Sequence, residues 1–94
     1  MHVLTLTVDL HLNEARSLKM KRSVVKSIVE GARRRFAVAA AEVEHQDQWQ
    51  RAGLGFAVVA NSQHHATDVI DEVERFVWSH PEIEVLSTER RWLE

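Results

Sequence analysis

The feature that most limits how this chain folds is the order in which its hydrophobic period changes. From Leu4 to Leu12 apolar residues take every second position, with Thr5, Thr7, Asp9 and His11 between them. A period of two with one polar side marks a half-buried strand. Past a short connection, Asn13 to Arg16, the period becomes helical. Leu18, Val25, Ile28, Val29, Ala32 and Phe36 share one face, and Ser17 stands where an N-cap is needed. Period two returns in Val38 to Glu44, which is alanine-rich and weak by propensity, and more strongly in Leu54 to Ala60. A second helical face follows in Ala66, Val69, Ile70, Val73, Phe76 and Val77. Asn61 or Ser62 can cap this helix, Pro81 stops it, and Ile83 to about Trp92 reads as a last strand.

The order is β-α-β-β-α-β. Two right-handed crossovers joined by a central hairpin define the split βαβ, or ferredoxin-like, α+β fold. The expected sheet is antiparallel in the order 4-1-3-2, with both helices on one face and the other face open. With one proline, three glycines and no low-complexity tract, residues 1–94 are expected to form a single domain.

The net charge of −2 conceals an asymmetry. Residues 16–35 hold eight of the twelve basic side chains, opposed there by Glu30 alone; the other segments carry four basic and thirteen acidic residues. Within the first helix Lys19, Lys26 and Arg33 repeat every seven residues, which aligns them as a stripe, with Arg22 beside it. Such a row can meet successive phosphates of a nucleic acid, or it can be a solvated face with snorkelling stems. A membrane surface is a poorer match, because the helix needs its apolar side for the core.

The sheet offers less to RNA. Ala52 to Val59 loosely resembles the RNP1 octapeptide that stacks bases in RNA-recognition motifs, but Leu54 and Val59 stand where aromatics belong. Parity sends the bulky Leu54, Phe56 and Val58 toward the helices. It leaves Gly55, Ala57 and Val59 on the open face beside Thr5, Thr7 and Asp9. On the second strand we expect Ala39, Ala41 and Val43 inward, with Glu42 and Glu44 outward. A face of small residues can also admit a second copy of the chain, with Thr5, Thr7, Ala57 and Val59 at the contact.

Between the central strands lies EVEHQDQWQRAGLG, Glu42 to Gly55. Gln46 to Gly53 reads as the hairpin connection, and the two glycines suit a bend or bulge entering the next strand. A catalytic reading requires Glu42 or Glu44 to converge with His45 and Asp47 around a general base. Spacing alone supports no such set.

No cysteine is present, which excludes disulfides and thiolate zinc sites. The six histidines show no zinc spacing, and the adjacent His64 and His65 point about 100° apart on a helix. Glu82 and Glu84 read as guards of an edge strand. No phosphate loop or dinucleotide fingerprint occurs. We therefore expect no metal and no cofactor. No apolar run reaches the roughly 20 residues of a membrane span. MHVLTLTVDLHL lacks the basic start of a signal peptide, so a cytoplasmic setting is expected.

HLNEARSLKMKRSVVKSIVEGARRRF and VAAAEVEHQDQWQRAGLGFAVVAN resemble the YlxP-like family of small bacterial proteins. The likeness spans nearly the whole chain. It is most specific at Ser17-Leu18-Lys19-x-Lys21-Arg22, at Ala41 to Asp47 and at Trp49-Gln50-Arg51. Met20 departs from it, since family members commonly carry an acid there. The resemblance implies a ferredoxin-like fold and no established enzymatic activity. Members are often encoded beside translation factors and a ribosome-binding factor, which associates them with RNA. The combined expectation is a non-enzymatic binding module acting near RNA or the ribosome. Lys19, Lys21, Arg22, Lys26, Arg33, Arg34 and Arg35 would meet phosphates, with Trp49 and Arg51 as auxiliary contacts. The alternative is a homodimer formed through the open sheet face, with no nucleic-acid role.

Overall fold

The computed structural model describes every residue from Met1 to Glu94. The elements are β1 (His2–His11), α1 (Leu18–Phe36), β2 (Ala39–Glu44), β3 (Arg51–Ala60), α2 (Gln63–Trp78) and β4 (Glu84–Trp92). The four strands form one antiparallel sheet in the order β2-β3-β1-β4, the expected order read from the opposite edge. Both helices cover one face, as the two crossovers require.

Each helix begins where the sequence places a serine. Ser17 Oγ accepts from the Met20 amide and Ser62 Oγ from the His65 amide, both at 3.1 Å. Each bond satisfies one of the four amides that a helix start leaves without a partner. α1 closes on Ala37, which adopts the left-handed conformation at φ 53°. α2 closes on Ser79, whose amide donates to the Arg75 carbonyl at 3.1 Å, and just beyond it His80 Nδ1 lies 2.9 Å from the Phe76 carbonyl.

The core lies between the sheet and the helix layer, with α2 over β1 and β3 and α1 over β2. Leu4, Leu6, Val8 and Leu10 meet Ile28 and Ala32 of α1 and Ile70, Val73 and Val77 of α2, all essentially inaccessible. Leu54, Phe56 and Val58 join them from β3, as parity requires, so the phenylalanine is inside.

Gly31 sits in mid-helix, where glycine costs about 1 kcal/mol relative to alanine. A Cβ there would lie 2.6 Å from Cζ of Phe76 on α2. Its absence lets the Phe76 ring reach the α1 backbone, where the ring is also held edge-on by Phe36, with centroids 5.7 Å apart.

One expectation is overturned. β2 has the opposite parity: Ala40 pairs with Phe56 and Glu42 with Leu54, so Ala40 and Glu42 face the helices. Ala39 and Ala41 pair with Ala57 and Gly55, and they point to the open face. The reason is twofold. Three consecutive alanines give no preference between faces, and the helix layer holds a cation for Glu42. A bulge between Glu42 and Glu44 then turns both Val43 and Glu44 outward. Gly53 permits this, because a Cβ there would come within 2.5 Å of the Glu44 Cβ.

On the helix side of β4, Arg90 bridges to α2 through Asp71 (2.8 Å) and Glu74 (3.0 Å). Burial works against its charge, but the hydrogen bonds it donates to the two carboxylates, with their negative charge, outweigh it and hold the guanidinium above its ordinary value.

Candidate nucleic-acid interface

Lys21 falls one turn before Val25 and in line with Ile28 and Ala32, the core-facing row of α1. Its side chain is fully buried. The ammonium forms an ion pair with Glu42 Oε2 at 2.8 Å and donates to the backbone carbonyl of His45 at 2.6 Å. A buried lysine needs such partners, since an isolated ammonium out of water is prohibitive. Lys21 is therefore not a phosphate contact, contrary to the sequence expectation. It fastens α1 to the hairpin.

The hairpin turns through residues 45–50. His45 takes a left-handed conformation at φ 60°, and its carbonyl also accepts from the Gln48 amide at 3.0 Å. The far side is tied to the connection between β1 and α1. The Leu12 amide donates to the Gln50 carbonyl (2.9 Å), and Gln50 Nε2 donates to the Ala15 carbonyl (3.3 Å). The segments that carry the family resemblance thus converge at one end of the molecule. Trp49 is half exposed at the tip, beside a shallow depression shared with His11, Gln48 and Arg51.

Arg51 is not free to serve as an auxiliary contact. Its Nη2 lies 2.7 Å from Asp9 Oδ2 and 3.5 Å from His45 Nε2. The candidate catalytic groups converge only in part. Glu42 is under the helices with Lys21 and Asp47 is exposed, while Glu44 and His45 line one cavity with Asp9, which His45 faces at 3.7 Å.

The other sequence-selected cations stay on the exterior. Lys19, Arg22, Lys26, Arg33, Arg34 and Arg35 are all exposed, and none takes part in an ion pair. Two are partly engaged. Arg33 Nη2 donates to the Ala40 carbonyl at 2.5 Å, and the Arg35 guanidinium lies 4.9 Å above the Phe76 ring centroid. Lys19 and Arg33 are separated by about 21 Å along the axis at 1.5 Å per residue. The ridge is therefore long enough to meet several phosphates. Apart from Glu30, which is exposed on α1 itself, the carboxylates lie elsewhere: Asp71 and Glu74 are bound to Arg90, Asp9 to Arg51 and Glu72 to Arg75. No helix is long and apolar enough to cross a membrane.

The pairing pattern and helix placement define a ferredoxin-like α+β sandwich. A de novo designed protein with ferredoxin fold, solved by solution NMR, matches with a TM-score of 0.52 at 13% identity, over 100% of this chain and 87% of its own. That likeness concerns fold alone. Within the class, the chain belongs to the family described as protein of unknown function (DUF503), whose model matches residues 3–90. A relative named uncharacterized protein YlxP, from Bacillus subtilis (strain 168), is 38% identical over 79 residues, covering 84% of this chain and 86% of the relative.

Proposed function

We propose that the chain is a non-enzymatic module of the cytoplasm that docks structured RNA, ribosomal RNA included, through the exterior ridge of α1. The observation that carries this reading is the lack of any ion pair to Lys19, Arg22, Lys26 and Arg34 in a chain whose carboxylates are numerous. These four cations are held on one helix, with Glu30 the one acid among them and the acids of α2 and β4 elsewhere, so an approaching phosphate meets a net positive ridge. The mechanism is electrostatic: phosphates displace condensed counterions, and no bond is made or broken. In this reading Trp49, half exposed at the hairpin tip, stacks on an unpaired base.

The test is the salt dependence of binding to a labelled RNA hairpin. Four phosphates neutralised give a slope of log K against log salt of roughly −3 to −4. Replacing Lys19, Lys26 and Arg33 together by glutamate should flatten that slope and abolish binding at moderate salt. Affinity that ignores salt, or survives the triple replacement, defeats the reading. Capture from lysate with and without ribonuclease separates RNA from protein partners.

A further inference from the structure

The reversed parity of β2 gives the open sheet face a composition that the sequence reading did not foresee. Val43, Val59 and Leu93 are each about half exposed or more. Between them lies a shallow, mainly apolar depression of about 540 Å³ formed by Ala39, Ala41, Gly55 and Ala57. A hollowed, mainly apolar sheet face is a surface on which a partner can seat. Two charges sit at its β4 border, Glu89 and Arg91. Neither has an ion-pair partner in the chain, although Arg51, Arg75 and Arg90 all do.

The register indicates what covers the face. Ala40, Phe56, Leu6 and Arg90 stand in one cross-strand row, with side chains toward the helices. On one side of that row the open face presents Ala39, Ala57, Thr5 and Arg91. On the other side it presents Ala41, Gly55, Thr7 and Glu89. The two flanking rows complement each other strand by strand, small against small and cation against anion.

We infer that the open face binds a second copy of this chain, in a two-fold dimer whose axis runs along the Ala40–Phe56–Leu6–Arg90 row. That axis lays each strand over its own copy in reverse. Ala57 then meets the partner's Gly55, Thr5 meets the partner's Thr7, and Arg91 meets the partner's Glu89, each contact occurring twice. One step further out, Val59 falls over the partner's Gly53. Gly53 floors a cavity of about 380 Å³, so a prominent valine meets a hollow. Leu93, bonded to β1 through its amide on the Val3 carbonyl, meets the partner's Ser87.

The occupant follows from charge. Glu44 and Glu89 on this face repel a nucleic acid, while a copy of the face sets Arg91 against Glu89. Strands about 4.8 Å apart and four rows about 6.8 Å apart give roughly 500 Å² per protomer. The total, about 1,000 Å², is at the lower bound for a specific interface. An interface of that size suits a reversible dimer. It leaves α1 of both copies exposed and does not depend on the RNA reading.

Sedimentation equilibrium across micromolar to millimolar protein tests this, with far-UV circular dichroism confirming that each variant folds. Wild type should be in monomer–dimer equilibrium. Glu89→Arg alone and Arg91→Glu alone each oppose like charges twice and should weaken the dimer by roughly tenfold or more. The double exchange, Glu89→Arg with Arg91→Glu, should restore it. Val59→Asp should leave a folded monomer. A wild type that is monomeric throughout, a dimer indifferent to Val59→Asp, or a double exchange no tighter than the single variants overturns the proposal.

Discussion

Replacing Lys21 by methionine isolates the tie between α1 and the hairpin. Methionine keeps an unbranched stem of similar length, so packing against Val25 is largely preserved and the change removes the charge. Two contacts go: the 2.8 Å ion pair to Glu42 and the 2.6 Å bond to the His45 carbonyl. Removing one member of a buried pair costs about 3–5 kcal/mol, because the other is left charged and unpaired. Glu42 keeps 18% exposure, so water offsets part of this, and the low end, about 3 kcal/mol, applies. The abandoned carbonyl adds about 1 kcal/mol. A domain of this size has total stability of about 5–14 kcal/mol, so the variant loses a quarter or more of it. The corresponding fall in Tm is roughly 12–30 °C. Urea unfolding followed by circular dichroism measures this. Lys21→Met with Glu42→Leu should recover most of the loss, since replacing both ions by apolar groups removes the stranded charge. A single-variant loss below about 1 kcal/mol, the size of an exposed pair, would refute the burial argument.

The same titration checks two backbone inferences. Gly31→Ala should destabilise by about 1–3 kcal/mol instead of giving the usual helical gain, because the methyl collides with a Phe76 ring already braced by Phe36. Adding Phe76→Leu should return part of that loss. Ala37→Gly should stabilise by roughly 0.5–1 kcal/mol, since relief of the left-handed conformation outweighs the freedom gained by the unfolded chain; a loss there would show that the Ala37 methyl packs favourably.

Where one periodicity dominates, the fold was legible. β1 alternates without interruption, Ser17 and Ser62 sit at the caps, and Phe56 can satisfy only the helix side, so element order and sheet order follow. β2 was misread for a physical reason. Three alanines carry no facial preference, and the parity is decided by Lys21, a residue distant in sequence whose burial was not anticipated. A signal for that burial did exist. On a helical projection Lys21 lies among Val25, Ile28 and Ala32, a position where a solvated cation has no outlet. The exterior cations were legible for the complementary reason, because Lys19, Arg22 and Lys26 lie off that row. The self-complementary rows of the open face were not, since they depend on the β2 parity and on the pairing of Glu89 and Arg91 with Thr7 and Thr5.

None of the three glycines adopts a positive φ, and the two left-handed residues are Ala37 and His45. Glycine here serves proximity: at positions 31, 53 and 55 an added methyl would press on Phe76, Glu44 and Val43. Mutational tolerance is consequently inverted from the usual pattern. The bends have room for improvement, while at positions 31 and 53, inside regular elements where alanine is ordinarily harmless, a single methyl already collides.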